Sequence, residues 1–103
     1  RILESACRLT DLGVFALVLE CVPTLLAERI THALSIPTIG IGAGNVCSGQ
    51  VLVWHDMLGL TMHRLPRFVR TFMPGASATL TALNDYVEAV QNRTFPALAE
   101  SYE

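Results

Sequence analysis

The stretch VFALVLECVP, residues 14–23, constrains the fold more than any other part of the chain. Phe15 to Leu19 is an apolar run without alternation, and Glu20 follows it directly, ahead of Cys21, Val22 and Pro23. A strand of that kind is expected to be covered on both faces, as in a parallel sheet with helices outside. Ligands in α/β sheets and barrels sit beyond the carboxyl ends of the strands, which is where Glu20 falls. A carboxylate flanked by Leu19, Cys21 and Val22 is expected to be partly desolvated, which makes its ionised form a better general base. The same residue could instead pair with a neighbouring loop or cap the helix that follows, and the residues alone leave both open.

The elements on either side fit an α/β fold. In RILESACRLTDLG, Ile2, Leu3, Ala6, Leu9 and Leu12 recur at helical spacing, and Gly13 suits the position after a helix end. That helix starts without a capping signal, as if cut partway along, so the chain is expected to be a piece of a longer protein. Pro23 suits the first turn of a second helix, PTLLAERITHAL, with Leu25, Leu26, Ile30, Ala33 and Leu34 on one face and Glu28, Arg29 and His32 on the other. A second strand follows at Thr38 to Ile41. Helix, strand, helix, strand is the repeating unit of an α/β fold.

The next segment, GNVCSGQVLVWHDMLGL, reads two ways. Gln50 to Trp54 has strand propensity. Ser48 could equally cap a helix ended by Gly59, with Val51, Leu52, His55 and Leu58 on one face. As a strand, Gln50 to Trp54 lies only about eight residues beyond the previous one, against the dozen or so that a parallel crossover usually takes. Farther on, RLPRFVRTFM reads as a short helical piece broken at Pro74 and Gly75. Ser77 is placed to cap a longer helix carrying Leu80, Leu83, Tyr86, Val87 and Val90. NRTFPALAESYE reads as an irregular tail.

Composition excludes several functions. The formal net charge is −2, which gives no basic surface for nucleic acid or anionic lipid. All seven cations are arginine, so this stretch supplies no Schiff-base or P-loop lysine. Cys7, Cys21 and Cys47 have neither CxxC nor zinc spacing, which points to reduced thiols in a cytoplasmic compartment. Cys21 and Cys47 could serve as nucleophiles, but with no base near either in the sequence they are expected to be small packing residues. No apolar run reaches the ~20 residues of a membrane span, and no His, Cys, Asp or Glu spacing fits a metal site. Gly40, Gly42 and Gly44 form no dinucleotide fingerprint; they would let the backbone approach a ligand or turn tightly at a strand end. His55 and Asp56 are expected to be a hydrogen-bonded pair ordering the pocket rim, while His32 and His63 lie on polar faces.

Three segments together, LVLECVP, IPTIGIGAGNVCSGQVLVWHDMLGL and YVEAVQNRTFPA, resemble the C-terminal portion of the ketopantoate hydroxymethyltransferases, over essentially the whole chain. The resemblance implies the last three βα units of a (βα)8 TIM barrel of the phosphoenolpyruvate/pyruvate superfamily. Phe15 to Glu20, Thr38 to Ile41 and Gln50 to Trp54 would be its sixth, seventh and eighth strands. It implies transfer of a hydroxymethyl group from 5,10-methylenetetrahydrofolate to 3-methyl-2-oxobutanoate, with Mg2+ holding the keto acid and Glu20 as proton acceptor. Gly40, Gly42 and Gly44 would border the substrate pocket. The metal-binding acids and substrate lysine of such enzymes lie on earlier strands, so no metal ligand is expected within this chain. Alone, the chain is expected to be inactive and to expose sheet edges that favour association. A decameric homo-oligomer is the assembly the resemblance implies. The tail departs from the family pattern at Ala97 and Glu100. The rival readings are another lyase of the same superfamily and a non-catalytic half-barrel that serves as an assembly module.

Overall fold

Two parallel strand pairings organise the first half of the chain in the computed structural model, which describes residues 1–101. The chain forms two compact units: Arg1–Val53 with Pro66–Val69, and Trp54–Leu65 with the chain from Arg70 onward. The first holds α1 (Ile2–Asp11), β1 (Leu17–Glu20), α2 (Thr24–Ala33), β2 (Thr38–Ile41) and β3 (Gly49–Gln50). Its sheet runs in the order β1-β2-β3. Leu17 pairs with Thr38 and Glu20 with Ile41, so the first two strands end level.

One face of this sheet carries the core. Leu19 is buried with Ala6 of α1 and Ala27 and Ile30 of α2, and Leu17, Leu26 and Leu34 pack against them. The other face is open: Val18 is 62% exposed, and Phe15, just before the strand, is 89% exposed. The expectation of a strand covered on both faces is therefore corrected. Side chains alternate along a strand, so one set of helices covers one set of residues, and nothing in this unit covers the other. The helix stripes are also narrower than expected. Ile2, Leu9, Leu12 and Leu25 are exposed, while Leu3, Ala6, Leu26, Ala27, Ile30 and Leu34 make the contacts.

The ambiguous segment resolves as a strand that is shorter and earlier than expected. β3 covers Gly49–Gln50, the Val51 N–H extends it by donating to Gly40 O at 3.0 Å, and Trp54 already opens a helix. A full crossover helix is unnecessary because β3 starts opposite Ile39. The chain need only fall back by two residues, ~6.6 Å, from the end of β2. Ser48 is not a helix cap. Its Oγ accepts the Thr38 N–H at 3.1 Å, and its own N–H donates to Thr38 Oγ1 at 3.3 Å. Thr38 Oγ1 also lies 2.8 Å from Thr31 Oγ1 of α2.

The second unit holds α3 (Trp54–Met57), α4 (Gly75–Gln91) and a 3-10 turn (Leu98–Glu100). Residues 64–73 form no helix. Pro66 has no N–H to give, and the Phe72 N–H donates instead to Met57 O at 2.8 Å. α4 starts at Gly75, two residues before the expected cap. Its first amides are satisfied by the chain after α3, Gly75 N–H by Leu58 O and Ala76 N–H by Gly59 O. Ser77 lies inside the first turn and donates to Pro74 O. Leu80, Leu83, Tyr86, Val87 and Val90 share the expected stripe, yet all stay exposed. The tail is more ordered than expected, since the Glu100 carboxylate accepts the Ala97 N–H at 2.7 Å. Tyr102 and Glu103 lie outside the described residues.

Thr38 is fully buried, so its hydroxyl bonds are made away from water. Thr38→Val is expected to lower the unfolding free energy by about 1–3 kcal/mol, because Ser48 and Thr31 lose their shared partner. Urea denaturation checks this, and a loss below about 0.5 kcal/mol would show that these bonds add nothing net.

Candidate active site

The turn after β1 decides where Glu20 points. Leu17 and Leu19 face the helices, so Val18 and Glu20 belong to the helix-free face. Cys21 then takes a left-handed conformation (φ 53°), while its N–H donates to Ile41 O at 2.9 Å. The reversal returns Val22 to the core and leaves Glu20 at the strand end. Glu20 is exposed, so the desolvation expected from its apolar neighbours in sequence is absent. Leu19 and Val22 turn away from it into the core beneath the helices, and Cys21 is itself exposed.

Beside Glu20 lies an open hollow of about 570 Å³. It is lined by Cys21 to Thr24, by Gly42 and Gly44, and by Arg67 and Phe68 of the turn Pro66–Val69. The glycines are there for space and for backbone shape. Gly42 has φ 67°, and a Cβ there would lie 2.8 Å from the Phe68 ring. Gly44 has φ 76°, and a Cβ there would lie 2.5 Å from Thr24 Oγ1. A side chain at either position would be strained by the backbone and would collide as well.

Gly40 has a different role. It is a buried residue within β2, and a Cβ there would meet Cys47 Sγ at 3.0 Å and the Gln50 amide at 3.1 Å. Of the three candidate pocket glycines, Gly42 and Gly44 line the hollow, while Gly40 makes room for β3 and its loop. His55 and Asp56 are not bonded to each other among the described residues. Asp56 accepts the Thr61 hydroxyl at 2.5 Å, and the His55 ring leans on Trp54 with centroids 4.3 Å apart. Cys47 packs against the core as expected, but Cys21 is exposed at the hollow. His32 and His63 are exposed.

Thr24, Arg67 and Phe68 were not expected in the site. Arg67 and Phe68 fall in a stretch whose apolar spacing imitates a helix, and only Pro66 signals the turn that delivers them. Among the described residues, no three His, Cys, Asp or Glu side chains gather closely enough to hold a metal ion. Glu20 alone does not amount to a magnesium site, so the residues present do not fit that ion by themselves.

Parallel strands, the first two joined through a helix, make this an α/β fold, and a carboxylate and an open hollow lie at the carboxyl ends of its strands. A family model described as ketopantoate hydroxymethyltransferase matches residues 1–98. The 3-methyl-2-oxobutanoate hydroxymethyltransferase of Nitrosomonas eutropha is 56% identical over 97 residues, which is 94% of this chain and 36% of that protein. The protein of the same name from Bdellovibrio bacteriovorus is 53% identical over 102 residues, 99% of this chain and 39% of that protein. The one from Methylobacterium sp. is 55% identical over 102 residues, 99% of this chain and 36% of that protein. The chain belongs to the ketopantoate hydroxymethyltransferase family, which implies a TIM barrel. It spans a little over a third of the length of these curated relatives.

Gly44→Ala combines a left-handed backbone with a collision, whereas Gly49→Ala meets only the movable tip of Ile39, at 3.2 Å. Gly44→Ala is expected to cost at least about 1–3 kcal/mol and Gly49→Ala well under half as much. Urea unfolding of the two variants side by side checks the ordering, and equal losses would contradict this account of Gly44.

Proposed function

We propose that this chain supplies the last three βα units of a (βα)8 barrel and that the whole barrel transfers a hydroxymethyl group from 5,10-methylenetetrahydrofolate to 3-methyl-2-oxobutanoate, giving 2-dehydropantoate. The observation that carries this reading is the placement of Glu20. It ends a parallel strand level with its neighbour, on the face free of helices, next to a hollow lined in part by glycines. The helix-free face of such a sheet is the one that lines a barrel's interior. Leu17–Glu20, Thr38–Ile41 and Gly49–Gln50 are then its sixth, seventh and eighth strands.

In this reading Glu20 takes the proton from C3 of the keto acid. The electron pair of that C–H bond passes into an enolate conjugated with the neighbouring carbonyl. C3 then attacks the methylene carbon once one of its two C–N bonds to the folate has opened. Water replaces the second nitrogen at that carbon, which leaves the hydroxymethyl group on C3 and releases tetrahydrofolate. An exposed carboxylate at the end of a rigid strand can reach a substrate held above the sheet, which is the first requirement of a general base. Mg2+ and its ligands belong, in this reading, to parts of the relatives' length that this chain does not span. The cytoplasmic setting and the homo-oligomeric assembly are proposed on the same family basis.

The test is C3 proton exchange. In a full-length enzyme carrying this stretch, Glu20→Gln is expected to slow deuterium exchange at C3 of 3-methyl-2-oxobutanoate in D2O by about 10²–10⁴-fold, read by NMR without folate. Undiminished exchange would remove Glu20 from the role of base. The chain by itself, given Mg2+, keto acid and folate, is expected to show no turnover. A measurable rate would overturn the proposal that it needs the remaining strands.

A further inference from the structure

Proton abstraction by Glu20 makes no use of Arg67, the cation at the hollow. Arg67 has no ion-pair partner among the described residues, and no carboxylate lines the hollow with it. Its position in the chain is fixed from both sides. The Val69 N–H closes the turn onto Pro66 O at 3.0 Å, and the Phe68 ring is seated over Gly42, where no side chain can compete for the space. The turn held in this way brings Arg67 to the hollow, and its planar guanidinium fork matches a planar carboxylate in two parallel hydrogen bonds. With no second cation beside it, the hollow suits a single carboxylate better than a multiply charged phosphate.

The hollow is open on one side and, at about 570 Å³, falls within the roughly 300–1,000 Å³ of small-molecule sites, so it has room for part of a ligand as long as a folate. The folate co-substrate carries carboxylates on its glutamate, at the end remote from its reacting one-carbon unit. Glu20 directly precedes Cys21 of the hollow's lining, about 3.8 Å away at Cα, which places the base next to the hollow's edge. We propose that Arg67 binds a glutamate carboxylate of the folate co-substrate and so steers its one-carbon end toward Glu20. This rests on the reading of Glu20 as the base of a folate-dependent transfer.

The experiment is a double cycle in the full-length enzyme carrying this stretch. Arg67→Ala is expected to raise KM for 5,10-methylenetetrahydrofolate about 10- to 100-fold, the loss that a charge-assisted hydrogen bond typically gives. Arg67→Lys, which keeps the charge and loses the fork, is expected to fall between the two. A co-substrate whose glutamate carboxylates are converted to amides should be penalised in the wild type and hardly at all in Arg67→Ala. Thermal melting followed by circular dichroism verifies that each variant is folded. An unchanged folate KM, or an equal penalty for the amide in both proteins, overturns the assignment. A rise confined to the keto-acid KM overturns it as well, and gives the hollow to the other substrate. The C3 exchange assay contains no folate, so undiminished exchange in Glu20→Gln marks failure of the base, whereas unchanged folate kinetics in Arg67→Ala marks failure of this site alone.

Discussion

The Thr38 hydroxyl is the fixed point of the first unit. It is buried, and it touches the hydroxyl of Thr31 on α2 and the N–H of Ser48 in the loop before β3. The Thr38 N–H in turn donates to Ser48 Oγ. A buried hydroxyl left without partners would cost about 1–3 kcal/mol, so this set of bonds favours one arrangement of helix, strand and loop over its neighbours. Among the described residues no buried side-chain oxygen or nitrogen is left without a partner. Once Ser48 is held beside Thr38, Gly49 must pair with Ile39, and residues 42–48 have to close a short loop over the end of β2. The left-handed turns at Gly42 and Gly44 follow from that closure, and both glycines line the hollow.

The sheet itself is half-dressed. Helices cover Leu17, Leu19 and Thr38, while Val18 and Glu20 stand on the bare side. For an apolar residue such as Val18 this leaves surface that burial elsewhere would stabilise. For Glu20 it leaves a charged group in water at the place where strand ends meet ligands. The composition of β1 thus serves two environments at once, one filled within this chain and one not.

That explains how far the sequence could be read. The order of elements was legible because turn residues and apolar periodicity agree: Gly13 after α1, Pro23 before α2, Pro37 before β2. The place of Glu20 at a strand end was legible because the apolar run directly before it marks the strand. The exposure of Val18 was not, since periodicity shows which residues prefer burial and not whether a partner exists to bury them. β3 was half legible. Its strand propensity extends to Trp54, but pairing stops where β2 has no further carbonyl to offer, and Trp54 then enters a helix. Gly40 could not be told from Gly42 and Gly44 by spacing, because what separates it is the sign of φ and the close approach of Cys47 and Gln50, seven and ten residues ahead. Arg67 and Phe68 join the site through a tertiary contact that leaves no local pattern.

The left-handed Cys21 has a consequence for how the chain tolerates change in length. Surface connections usually accept an inserted or deleted residue at small cost. The junction from Glu20 to Pro23 cannot, because one added residue would exchange the sides taken by carboxylate and valine. The Cys21 amide would also lose Ile41 as its acceptor. Loop-length variation should therefore be rare here and common elsewhere, for instance around the exposed residues that follow α3. Anyone grafting this strand end onto another scaffold must carry Glu20, Cys21 and Val22 across as one unit.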